Sequence, residues 1–85
     1  MWNVTESKQV AKELARLPKR IRLIYQALTE DMKREGPHPH GWDTLPLKGR
    51  AEVRIRLNRE YRVLIWVVAP NLIVIKVAHR REAYE

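Results

Sequence analysis

No cysteine occurs among the 85 residues of this chain. A disulfide framework, a thiolate nucleophile and a cysteine metal site are thereby excluded, and the composition agrees with a reducing compartment. No apolar run approaches the roughly 20 residues that span a bilayer. The opening Met1-Trp2-Asn3-Val4-Thr5-Glu6 lacks the basic-then-apolar plan of a signal peptide. A cytoplasmic protein with no membrane association is expected. Also missing are a Gly-x-Ser-x-Gly elbow, a phosphate-binding glycine loop, a His-Glu-x-x-His motif, internal repeats and low-complexity segments. The commoner enzyme signatures are therefore silent. A chain of this length buries only about 60% of its unfolded surface, so residues 1–85 are expected to form one domain with a modest core.

Acidic residues are also scarce: 10 Asp and Glu stand against 17 Lys and Arg, for a net charge of +7. The imbalance is uneven. Residues 1–46 carry 8 basic and 6 acidic side chains, whereas residues 47–85 carry 9 and 4. Such a field concentrates polyanions and speeds their association without conferring sequence specificity.

The pattern of apolar residues predicts the order β-α-α-β-β-β. Trp2 to Val4 reads as a short strand, and Thr5 or Ser7 can cap the helix that follows. Val10, Leu14 and Leu17 recur at helical spacing, and Pro18 ends that helix and opens the next. Ile21, Ile24, Leu28 and Met32 form the second stripe, which Gly36-Pro37 stops. Val53-Arg54-Ile55-Arg56-Leu57 alternates strictly, sending its apolar residues to one face and both arginines to the other. Asn58-Arg59-Glu60 reads as a tight turn. Tyr61 to Val68 and Leu72 to Ala78 are nearly continuous apolar runs, as expected of central strands covered on both faces, with Trp66 buried in the first. The fold class is therefore α+β, a two-helix hairpin packed on a twisted, mainly antiparallel four-stranded sheet.

The residues able to do chemistry gather in the second half. Arg54 and Arg56 lie about 7 Å apart on one strand face, a spacing near that of successive phosphates, and Arg62 enters from the next strand. Guanidinium groups hold phosphate oxygens bidentately and stay charged. The last apolar run leads into His79-Arg80-Arg81-Glu82-Ala83-Tyr84, which adds an imidazole, two more guanidinium groups and a phenol. Metal-free RNA cleavage requires removal of the 2′-hydroxyl proton, stabilisation of charge on phosphorus and protonation of the departing 5′-oxygen. His79 and Tyr84 can move protons, and the arginines can hold the charge. His38 and His40, separated by Pro39, have only Asp43 nearby as a further ligand and are better explained as part of a Pro/Gly-rich linker. No metal and no cofactor are expected. Trp42, near Leu45 and Leu47, reads as a hydrophobic anchor beside the helices.

Taken in order, Leu17-Pro18, Gly41-Trp42-Asp43, Leu47-Lys48-Gly49, Arg54-Ile55-Arg56, Tyr61-Arg62-Val63-Leu64 and Val77-Ala78-His79-Arg80-Arg81-Glu82-Ala83-Tyr84 resemble the RelE/ParE superfamily of bacterial toxins. The resemblance covers nearly the whole chain. It implies a RelE-like domain, and the His-Arg-Arg…Tyr ending resembles the RelE-like branch, whose members cut messenger RNA on the ribosome. The resemblance further implies that Arg54 and Arg56, with Arg81 and Lys48, grip the RNA backbone. Arg62 corresponds to the arginine after the strand-opening tyrosine, and Arg80 to the arginine that stabilises the cleaved phosphate or assists the leaving group. Tyr84 would act as base or stack on the substrate, and His79 as acid or base. A type II toxin with a cognate antitoxin, forming a hetero-oligomer with it and acting on ribosome-bound mRNA, is therefore expected. The alternative is a ParE-like gyrase inhibitor or a non-catalytic binding module of the same fold.

Overall fold

The computed structural model describes residues 1–47 and 51–81. Strand β1 (Asn3–Glu6) leads into helix α1 (Lys8–Ala15), then α2 (Lys19–Glu35), β2 (Asp43–Pro46), β3 (Glu52–Arg56), β4 (Tyr61–Val68) and β5 (Asn71–His79). Ser7 is the N-cap of α1: its Oγ accepts the Val10 N–H at 3.2 Å and satisfies one of the donors a helix start leaves orphaned. Pro18 opens α2 without a side-chain cap. Gly36 ends α2 at φ +88°, donating its N–H to the Met32 carbonyl at 2.8 Å. Among the described residues no helix is long and apolar enough to cross a membrane.

Among the described residues the sheet has five strands, in the order β1-β5-β4-β3-β2. One strand more is present than the apolar pattern predicts. The extra one, β2, is four residues long, ends in Pro46 and has no buried residue, so it carries no hydrophobic alternation to read. Its backbone pairing with β3, from Asp43 opposite Arg56 to Pro46 opposite Val53, is what makes it a strand. An edge position tolerates the proline because only one side of the strand needs donors. All pairings among β2 to β5 are antiparallel, but β1 runs parallel to β5, so the sheet is mixed.

Both helices lie on one face of this sheet. Val10, Ile21, Tyr25, Leu28 and Met32 pack against Val53, Ile55, Val63, Ile65, Leu72, Val74 and Val77, with Leu14, Leu17, Ile24 and Trp42 at the margin. Trp42 also donates Nε1–H to Asp31 Oδ2 at 2.8 Å, which ties the α2–β2 connection back to α2. Tyr25, outside the expected stripe, is buried and donates its hydroxyl to the Glu6 carboxylate. β4 and β5 are central, as their composition suggests, but they are not covered on both faces. Trp66 is 49% exposed and Val68 52%, so the face away from the helices stands open among the described residues.

Candidate functional site

Strand register determines which side chains share that open face. Because residues alternate sides, the pairings arrange it in rows across the sheet. Asp43, Arg56, Arg62 and Ala78 form one row, Leu45, Arg54, Leu64 and Lys76 the next, and Glu52, Trp66 and Ile73 the third. Arg54, Arg56 and Arg62 are thus brought together, and Lys76 joins them. Lys76 is the single charge inside the β5 run, and that interruption was the available signal for it. A bulge at Ile75, where Leu64 pairs with Lys76 and Ile65 with Val74, keeps both sides of β5 in phase with β4.

The first row is electrostatically costly. Arg56 and Arg62 are direct cross-strand partners, and like charges so placed repel. Among the described residues two contacts relieve the repulsion. Arg56 Nε lies 3.4 Å from Asp43 Oδ2. Arg62 is only 7% exposed and donates from Nη1 to the Asn58 carbonyl at 3.2 Å, beneath the β3–β4 turn. That turn is built by Asn58, whose Oδ1 accepts the N–H groups of Glu60 and Tyr61, both at 2.8 Å. Of the three arginines, Arg62 is the one held inside the structure, while Arg56 presents its guanidinium to solvent. A sequence that keeps opposed cations at this position breaks a local rule of sheet stability, as functional surfaces do.

His79 lies on the other side of the sheet. It pairs with Tyr61, and both share the side of Val63 and Val77. The two rings meet edge to face with centroids 5.5 Å apart. Nε2 is 3.5 Å from Glu60 Oε2, and Nδ1 accepts the Arg81 N–H at 3.3 Å. With Nδ1 accepting, the ring proton sits on Nε2, facing the carboxylate. A cleft of about 380 Å³ opens beside it, lined by Gln9, Glu13, Arg16, Leu17 and Tyr61. Arg80 follows β5 directly, with its N–H donated to the Glu60 carbonyl, and its side chain is exposed with no partner among the described residues. The end of β5 therefore sets His79 on the helix side and the exposed Arg80 just beyond the strand, against the β3–β4 turn. Lys48 and Tyr84, both expected site residues, lie outside the described residues. Asp43, Glu60 and Tyr61 were not legible in the sequence as partners of Arg56 and His79, since Asp43 and Tyr61 are positioned by pairing across strands and Glu60 by the β3–β4 turn.

His38 Nδ1 lies 2.7 Å from Thr44 Oγ1, and the His40 N–H is donated to Glu35 Oε1 at 3.0 Å. These hydrogen bonds anchor the α2–β2 connection. No group of three or more His, Asp or Glu side chains is placed to hold a metal among the described residues.

No family model and no curated protein matches the sequence. Solved structures do. The RelE–RelB complex from the archaeon Pyrococcus horikoshii contains a chain 26% identical, with a TM-score of 0.83, over 96% of this chain and 98% of that one. In the RelB–RelE antitoxin–toxin complex from Methanococcus jannaschii the identity is 26% and the TM-score 0.82, over 94% of each chain. The RelBE2 toxin–antitoxin complex from Mycobacterium tuberculosis matches at 21% identity and a TM-score of 0.71, over 93% of this chain and 98% of that one, a likeness of fold alone. Two helices on one face of a mixed five-stranded sheet, with arginines across the other, define a RelE-like fold. In fold and in sequence the chain is similar to toxins of the RelE/ParE superfamily.

Proposed function

We propose that this chain is the toxin of a type II toxin–antitoxin pair, acting in the cytoplasm as a metal-independent endoribonuclease on ribosome-bound mRNA. The observation that carries the reading is the pair of archaeal RelE matches spanning essentially the whole chain, on a sheet whose open face carries Arg54 and Arg56 and ends at Arg80. In this scheme Arg54 and Arg56, with Lys48 and Arg81, hold the RNA backbone. Arg62 braces the β3–β4 turn beneath them. Arg80 neutralises charge on the phosphate as the 2′-oxygen attacks phosphorus and the bond to the 5′-oxygen breaks. The 2′-hydroxyl proton leaves to a base, the 5′-oxygen gains a proton, and the products are a 2′,3′-cyclic phosphate and a 5′-hydroxyl. His79 and Tyr84 are the groups of this chain able to move those protons. A phenol is a poor base near neutral pH, so alignment of the attacking oxygen by the ribosome supplies much of the rate.

A cognate antitoxin would bind the chain as a hetero-oligomer, as RelB does in the archaeal complexes. Its acidic segments would be drawn by the +7 charge. Toeprinting on programmed ribosomes tests the function. Cleavage of mRNA on the ribosome, with the same RNA intact in free solution, is expected. Equal cleavage of naked RNA, or arrest of DNA replication before translation on induction, overturns it in favour of another nuclease or of gyrase inhibition.

A further inference from the structure

The helical hairpin carries a second concentration of positive charge, on the side of the molecule opposite the open sheet face. Lys8, Lys12 and Arg16 follow one another at four-residue steps along α1, about 6 Å apart on one stripe. Lys19, Arg20 and Arg22 continue the charge around the corner into α2, and the cations of this corner face solvent. The first 29 residues contain only two acids, Glu6 and Glu13. Both are engaged internally: Glu6 accepts the Tyr25 hydroxyl, and Glu13 Oε1 accepts the Val77 N–H at 2.9 Å on the side of β5 that β1 leaves unpaired. Among the described residues no ion pair joins any of the six cations to a carboxylate. The far end of α2 is arranged differently, with Lys33 3.3 Å from Glu30 and Arg34 bonded to Asp31.

At the two helix starts the placement also opposes helix stability, whereas Lys12 in the last turn of α1 and Arg16 at its C-cap sit where the dipole favours cations. Lys8 opens α1, and Lys19 and Arg20 open α2, where the helix dipole disfavours cations, and neither first turn contains an acid. Charge that is unneutralised and placed at a cost to the fold indicates use in binding. The chemistry of the surface selects the partner. Residues 8–22 contain no aromatic side chain to stack a base. Val10 and Ile21 are buried in the core and Leu14 and Leu17 pack against it, so the surface lacks the apolar anchor of a protein interface. Leu23, 56% exposed, is a lone apolar residue at its margin. Evenly stepped, solvent-facing cations, of which Arg16 also lines the cleft beside His79, fit a phosphate backbone read by shape, as in an RNA double helix.

We propose that the α1–α2 corner, centred on Lys12, Arg16, Lys19 and Arg20, is a second RNA-binding surface that grips double-helical RNA while the sheet face holds the strand to be cut. The inference rests on the reading of this chain as an RNA-acting protein. Two double variants of the full chain, each removing two positive charges, test it: Lys19→Gln/Arg20→Gln in the corner and Lys33→Gln/Arg34→Gln at the far end of α2. Affinity for a mixed-sequence RNA duplex is measured from low to moderate salt. The corner variant should lower the slope of log affinity against log salt by about 2, near one for each phosphate no longer neutralised. Its thermal midpoint should stay level or rise as the dipole conflict is removed. The control variant should bind as the unsubstituted protein does while its midpoint falls. Equal weakening by both doubles, or by neither, overturns the proposal, as does a corner variant that keeps duplex binding but binds an acidic antitoxin segment more weakly. Ribosome-dependent cleavage by the unsubstituted chain, run alongside, reports separately on the proposed function: its absence removes that reading, while the duplex data still judge the corner.

Discussion

Replacing Arg62 separates scaffold from chemistry. In the native state its guanidinium is buried and donates to the Asn58 carbonyl at 3.2 Å. Arg62→Ala removes a hydrogen bond from a charged donor, a contribution of about 1.5–3 kcal/mol. It also removes two packed methylenes, at about 0.8 kcal/mol each. Relief of the repulsion from Arg56 returns roughly 0.2–1 kcal/mol. These contributions give a net destabilisation of at least about 3 kcal/mol, which in a domain of this size lowers the thermal midpoint by about 12–24 °C or more. Arg62→Met retains most of the packing without the hydrogen bond, so about half of that fall is expected. The assay is reversible thermal unfolding followed by circular dichroism, paired with cleavage on programmed ribosomes at a temperature where every variant is folded. If Arg62→Ala unfolds within about 0.5 kcal/mol of the unsubstituted chain, the range of ordinary surface substitutions, the guanidinium does not brace the turn. Its role would then lie with the substrate alone.

Arg80→Ala should abolish ribosome-dependent cleavage while shifting stability by no more than about 0.5 kcal/mol, because its side chain is exposed; retained cleavage at equal concentration would remove it from the proposed mechanism. Arg54→Ala and Arg56→Ala should weaken RNA binding and flatten its salt dependence by about one each, and the exposed Arg56–Asp43 pair should contribute at most about 1 kcal/mol to stability; a salt slope unchanged in both variants would exclude phosphate binding there. Burial, reinforced by the Glu6 carboxylate, pushes the Tyr25 phenol well above its ordinary value. The folded chain therefore keeps this proton where the unfolded chain has released it, and its stabilisation is complete below about pH 10 and fades as pH rises further. Stability from denaturant titrations through that range should fall more steeply for the unsubstituted chain than for Tyr25→Phe, and parallel curves would refute the linkage. Gly36→Ala should cost about 1–3 kcal/mol in thermal unfolding, since φ is +88° and the new Cβ would meet the Trp2 indole at 2.8 Å; an unchanged midpoint would show that this helix end can relax.

Periodicity alone revealed the helical hairpin, the alternating β3 and the two long strands, because Val10, Ile21, Leu28, Met32, Val53, Ile55 and Val63 each repeat at the period of their own element and meet in one core. It could not reveal β2, whose Asp43-Thr44-Leu45-Pro46 has no buried side chain and exists through backbone pairing with β3. The open face was hidden for a related reason. A continuous apolar run has the same appearance whether both of its sides are covered or one awaits a partner, and Trp66 proves to be on the uncovered side. Within the candidate site, residue types were legible and their grouping was partly so. The short spacing of Arg54 and Arg56 and the run from His79 to Arg81 stand out in one dimension. That Arg56 opposes Arg62, that Lys76 shares their face, that His79 turns to the helix side and that Arg62 is buried under Asn58 depend on inter-strand register and the bulge at Ile75. Local sequence determines an element through its own periodicity and caps, whereas register and sidedness arise only when strands distant along the chain pair, so the surface that would meet RNA was decided by the tertiary structure.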